Sequence, residues 1–89
     1  MRDRCKQALR VYMSKRFRQE RCDAGLTQAR FADQLMMDGR CYAALEAGSN
    51  LCSTVTFVMY LVFFCKDRDA FIEELRQVIL DAGRAEPED

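Results

Sequence analysis

Apolar residues recur at helical spacing along most of this chain. In residues 4–22, Leu9, Tyr12, Met13 and Phe17 fall at i, i+3, i+4 and i+8, and no Gly or Pro interrupts them. That spacing predicts an amphipathic helix with one inward face and one basic face. Asp23–Gly25 breaks it, with Gly25 suited to a left-handed cap. Thr27 can N-cap a second helix, "TQARFADQLMM", whose inward stripe is Phe31, Ala32 and Leu35. A helix of about ten residues needs tertiary packing to persist. Asp38 is the next cap and Gly48 the next stop, so "DGRCYAALEAG" reads as a third short helix, with Tyr42 and Leu45 as its apolar pair.

Ser49–Thr54 forms a polar loop in which Ser53 is placed to cap the next element. The run Val55–Cys65 is rich in β-branched and aromatic residues, which favours a strand. Its length and the lack of any partner strand favour a helix. The run is about half of the ~20 apolar residues a membrane-spanning helix requires, so it reads as a buried element. Residues 67–82 are amphipathic, with Phe71, Ile72, Leu75, Val78 and Ile79 at helical spacing, Asp67 or Asp69 as cap and Gly83 after the end. The pattern predicts an all-α domain of five helices over residues 1–89, with a core in 5–82 and a polar tail in 83–89.

Charge changes the picture in one respect. The 89 residues are formally neutral, yet residues 1–22 carry eight Lys/Arg against Asp3 and Glu20, a net of +6, and the other 67 carry −6. A basic end of this kind can face phosphate. The five cysteines are widely spaced, no CxxC occurs and there is no histidine, so no metal site is expected. The N-terminus has no apolar stretch of the export type, which implies a cytoplasmic protein with reduced and mostly buried, inert thiols. Without histidine a cysteine lacks its usual activating base, and no phosphate- or dinucleotide-binding glycine pattern occurs; an enzyme is not expected. Neither a cofactor nor a small-molecule ligand is expected.

A basic helix, two short helices joined by a tight turn, and a buried helix occur in the order of a helix-turn-helix domain. The segment "AGLTQARFADQLMMDGRCYAALEAGSN" resembles, without a gap, the phage-repressor-like (XRE/Cro-type) DNA-binding domains. "LTQ" (Leu26–Gln28) matches the start of that family's second helix. Phe31, Ala32 and Leu35 match its apolar and small positions, "LEAG" (Leu45–Gly48) matches the end of its third helix, and Ser53 matches the cap of its fourth. The resemblance covers roughly residues 15–65 and implies a five-helix, lambda-repressor-like fold. Ala32 would have to be small where two helices cross, and Glu46 can pair with Arg18 or Arg21. One position departs: where the family places glycine in the turn, this chain has Met36, which predicts strain or a rearranged turn.

The resemblance also implies a site. The first turns of the third helix, read here as Asp38, Gly39, Arg40, Ala43 and Ala44, would face bases. Gly39 and the alanines have no side chain that can hydrogen-bond a base, and Asp38 is tolerable near phosphate only as a cap. Arg40 alone can make a bidentate contact to guanine. Gln28, Lys15, Arg18 and Asn50 would touch phosphates. The helix in Val55–Cys65 carries a second apolar stripe, Val55, Met59 and Val62, opposite its core face. With Phe71 and Leu75 this stripe is the expected homodimer interface. The expected function is a cytoplasmic, nucleoid-associated transcriptional regulator, bacterial or phage, that binds double-stranded operator DNA as a dimer. The alternative is an interaction module, antitoxin-like, that keeps the fold and has lost DNA reading.

Overall fold

The computed structural model describes residues 2–84. These form five α-helices and no strand: α1 (Arg2–Asp23), α2 (Gln28–Gln34), α3 (Gly39–Glu46), α4 (Thr54–Met59) and α5 (Arg68–Arg84). A π-helical turn, Tyr60–Phe64, continues α4. The choice between strand and helix for Val55–Cys65 therefore falls to helix. Gly83 and Arg84, expected beyond the last helix, lie inside α5, and the rest of the expected tail lies outside the described residues.

Starts and stops obey local chemistry. Thr27, Asp38, Ser53 and Asp67 each accept a backbone N–H of the helix they precede, at 3.0–3.2 Å. The first three helices end alike. Leu26 N–H donates to Arg21 C=O, Met37 N–H to Ala32 C=O and Ser49 N–H to Ala44 C=O, each bond reaching back five residues. This cap needs a left-handed residue. Gly25 and Gly48 supply it with φ of 69° and 76°, and Met36 supplies the other with φ of 56°. The turn does not rearrange around Met36. The methionine takes the strained conformation and is 80% exposed.

One aromatic ring from each helix builds the centre. Phe17 of α1 meets Tyr42 of α3 edge-on at 6.1 Å and Tyr60, in the π turn after α4, at 5.3 Å. Phe31 of α2 meets Tyr42 at 5.4 Å, and Phe71 of α5 meets Tyr60 at 5.3 Å. All five rings are fully or almost fully buried. Edge-to-face pairs of this kind add about 0.5–1.5 kcal/mol each beyond their burial. Ala32 and Leu35 are buried with them, as the close crossing of α2 requires. Phe57, Leu61 and Phe64, from the run Val55–Cys65, are half-buried and pack against it.

The π turn adds one residue to α4, and Cys65 N–H reaches back five positions to Tyr60 C=O at 2.9 Å. The extra residue brings Tyr60 and Cys65 inward together. It also frees carbonyls at the helix end, and the Arg68 guanidinium takes those of Leu61 and Val62 at 3.0 and 3.1 Å. α1 packs chiefly against α5 and α3.

Replacing Met36 by glycine should raise stability by about 1 kcal/mol, the left-handed penalty less glycine's own entropy cost. A urea unfolding midpoint that stays put or falls would show that Met36 carries no strain.

Candidate nucleic-acid interface

A carboxylate organises the surface around α3. Glu46, at the C-terminal end of α3, is only 3% exposed. Arg21 of α1 grips it in a fork, Nε to Oε2 at 2.6 Å and Nη2 to Oε1 at 3.1 Å. Gln28, the first residue of α2, donates its amide to Oε1 at 3.1 Å. The Tyr42 hydroxyl donates to Oε2 from one turn earlier on α3. Arg18 leans in from the rim, Nε 3.7 Å from Oε1, and its Nη2 donates to the Glu46 C=O at 3.3 Å. Arg21 also donates to the Leu26 C=O at 3.0 Å, which fixes the approach to α2. Of the two arginines expected to pair with Glu46, Arg21 makes the buried fork and Arg18 the looser outer contact.

Burial alone would push the Glu46 carboxyl up; the hydrogen bonds from Arg21, Tyr42 and Gln28 outweigh it and hold the group below the usual carboxylate range. The same burial and the bond to Glu46 push the Tyr42 phenol up.

A second clasp ties α1 to α5. Arg16 donates to the Tyr60 hydroxyl at 2.8 Å, lies 3.4 Å from Glu74, and sets its guanidinium carbon 4.6 Å from the centre of the Phe71 ring. Burial, and after it the hydrogen bond to Glu74, pushes the Tyr12 phenol up to about 12. The basic first helix thus spends Arg16 and Arg21 on holding the fold.

The residues expected at the site divide accordingly. Arg40 is exposed in the first turn of α3, and among the described residues its guanidinium has no partner. Asp38 is the α3 cap, its carboxylate accepting from Arg40 N–H at 3.0 Å. Gly39 is exposed, and a Cβ there would meet nothing within 4 Å, so nothing inside the chain requires glycine. Ala43 and Ala44 are half-buried, and Asn50 is exposed on the loop after α3. Gln28 is exposed and gives one amide N–H to Glu46, which leaves the other N–H uncommitted. Lys15 lines the groove between α1 and α5, whereas Arg18 sits against α3.

The expected dimer surface needs correction. Phe71 is 0% exposed and stacks in the core, and Leu75 is half-buried against it. The large apolar residues that α5 turns outward are Ile72, Ile79 and Leu80. On α4 and the π turn the outer stripe is Val55, Val58, Val62 and Phe63, with Met59 half-buried among them. These positions fall at i, i+3, i+4, i+7 and i+8.

Sequence reasoning missed two exposed groups. Arg30, in the first turn of α2, has no side-chain partner among the described residues. Cys41 sits on the exposed side of α3 beside Arg40. The expectation of mostly buried cysteines fails: Cys65 is buried, Cys5 and Cys52 are half-buried, and Cys22 and Cys41 are exposed. Both missed groups stand in the first turns of short helices, Arg30 in α2 and Cys41 in α3. No helix among the described residues is long and apolar enough to cross a membrane.

No protein-family model, no curated protein and no solved structure matches this chain.

Glu46→Ala should cost roughly 3 kcal/mol, because it leaves Arg21, Tyr42 and Gln28 without their shared acceptor. The pH dependence has a definite sign. The folded-state pKa of Glu46 lies below its unfolded value, so its contribution is complete above the ordinary carboxylate pKa of about 4.3 and is lost as pH falls through the depressed folded value. Urea unfolding at several pH values should show a flatter acid limb in Glu46→Gln than in the parent chain; parallel acid limbs would contradict the clasp.

Proposed function

We propose that this chain is a non-enzymatic DNA-binding regulator in which α2 and α3 act as a helix-turn-helix. In this reading the first turn of α3 enters the major groove of duplex DNA. The observation that carries it is Arg40, an uncommitted exposed guanidinium on a short helix whose far end is fixed to α1 and α2 through Glu46. A fork-shaped donor on a rigid mount suits bidentate contact with guanine. The small surface beside it, Gly39, lets backbone approach the groove closely. Arg18 and Arg30 supply positive charge on the flanks, and Asn50 a neutral donor.

The partner arrangement is a homodimer through the outer stripe of α4 and the adjoining face of α5. Val55 and Phe63 are 69% and 72% exposed, an uncovered apolar helix face that a second copy would remove from water. The same stripe favours the second reading, an interaction module with weak or absent DNA reading, because Arg40 is the only long side chain on the expected reading surface.

Anisotropy with a random-sequence duplex separates the two, since non-specific affinity is electrostatic and steepest at low salt. Binding that weakens sharply with salt is expected. Arg40→Ala should relax sequence preference by about 1–3 kcal/mol at one base pair, while Arg18→Ala should weaken all sequences alike and lower the salt slope by about 1. Absence of binding even at low salt selects the interaction module.

For the dimer, Val58→Asp with Val62→Asp should yield a folded monomer by sedimentation velocity and circular dichroism. A parent chain already monomeric at micromolar concentration contradicts the dimer.

A further inference from the structure

α3 begins with a glycine that the fold does not need. Gly39 lies in right-handed helical backbone, unlike Gly25 and Gly48, whose positive φ values end helices. A Cβ at position 39 would meet no atom within 4 Å, so no neighbouring element demands the missing side chain. Alanine there would lose less entropy on entering the helix. A glycine that costs stability and relieves no internal crowding points outward, to a partner whose surface comes too close for a side chain.

The residues beside it say what that surface is. Arg40 follows directly, exposed and with no side-chain partner among the described residues. Asp38 precedes, with one carboxylate oxygen committed to the Arg40 N–H at 3.0 Å. Consecutive Cα atoms are about 3.8 Å apart, close to the roughly 3.4 Å between successive bases of a strand, so residues 39 and 40 can address adjacent base pairs. On the major-groove edges of the bases, the one apolar group is the C5-methyl of thymine. It is the group for which a bare stretch of helix makes room.

We propose that Gly39 is a specificity-determining residue: the notch left by its missing side chain receives the C5-methyl group of a thymine adjacent to the guanine that Arg40 contacts. This rests on the helix-turn-helix reading of α2 and α3, and it adds to that reading a second base, recognised by shape. The guanine is read by the fork of Arg40, and the thymine by removal of its methyl group from water against the first turn of α3. A β-methyl at position 39 and the thymine methyl would claim the same space.

The test uses duplexes that the full-length chain recovers from a random-sequence library, with affinity read by anisotropy. They should carry a thymine next to the guanine whose identity ceases to matter in Arg40→Ala. Replacing that thymine by deoxyuridine removes the methyl alone and should weaken binding about fourfold, the worth of one buried methyl group. Gly39→Ala should weaken binding to the thymine duplex roughly tenfold, within the range that one inserted methyl costs in a packed contact. Its salt slope should match the parent's, because no phosphate contact is lost. Its urea midpoint, measured without DNA, should rise. The two changes should also compensate: Gly39→Ala should bind the deoxyuridine duplex at least as well as the thymine one. If Gly39→Ala keeps parental affinity and thymine preference, or if deoxyuridine binds the parent chain as thymine does, the notch is overturned and the helix-turn-helix reading stands. A urea midpoint that falls in Gly39→Ala gives the glycine a role in the fold and overturns the notch as well. A parent chain that recovers no duplex even at low salt overturns the helix-turn-helix reading itself, and the notch with it.

Discussion

The carboxylate of Glu46 is the constraint on which the placement of α3 depends. A buried anion is tolerable only if its oxygens are filled by donors, and here the donors come from three helices: Arg21 of α1, Gln28 of α2 and Tyr42 of α3 itself. Each of the short helices α2 and α3 is below the length at which a helix persists alone. They hold their angle because both are referred to the same charge on the flank of the long α1. Hydrophobic packing of Phe31, Leu35 and Tyr42 supplies the burial, but it is less directional than a forked arginine on a carboxylate. Tyr42 belongs to both systems, its ring in the aromatic centre and its hydroxyl on Glu46.

That arrangement has a cost for the outer surface. Arg16 and Arg21, a quarter of the basic side chains in residues 1–22, are used inside the fold. Gln28 gives one of its amide N–H groups to the carboxylate that positions it. What remains toward solvent around α3 is Arg40, with Arg18 and Arg30 on the flanks. The regional excess of positive charge overstates what can reach phosphate, because formal charge does not distinguish a guanidinium spent on a buried partner from one in water.

Local signals in the chain carried much of the fold. Thr27, Asp38 and Ser53 were recognisable caps, Gly25 and Gly48 recognisable left-handed stops, and the apolar spacing of Met13, Phe17, Phe31, Tyr42 and Leu45 marked the inward faces. What was not legible depended on packing. The stripe Phe71, Ile72, Leu75, Val78, Ile79 is wider than the contact it makes, so spacing alone could not say that Phe71 faces Tyr60 while Ile72 faces solvent. The π turn at Tyr60–Phe64 is a one-residue change of register without a sequence signature. At Met36 propensity argued for a different turn, and it lost to the combination of a buried Ala32–Leu35 face, the Asp38 cap and the Met37 bond back to Ala32. The exposed cysteines, Cys22 in the last turn of α1 and Cys41 in the first turn of α3, were misplaced because residue type is a weak guide to burial near helix ends.

If the surface presented by α3 is the one that meets DNA, amide chemical-shift mapping will locate the contact. The isotope-labelled chain would be titrated with a short duplex at low salt. Shifts should concentrate in Gly39–Ala44, at the start of α2 and at Asn50, with α5 unmoved. Shifts confined to the outer stripe of α4, or no shifts at all, would contradict a DNA-reading role for α3.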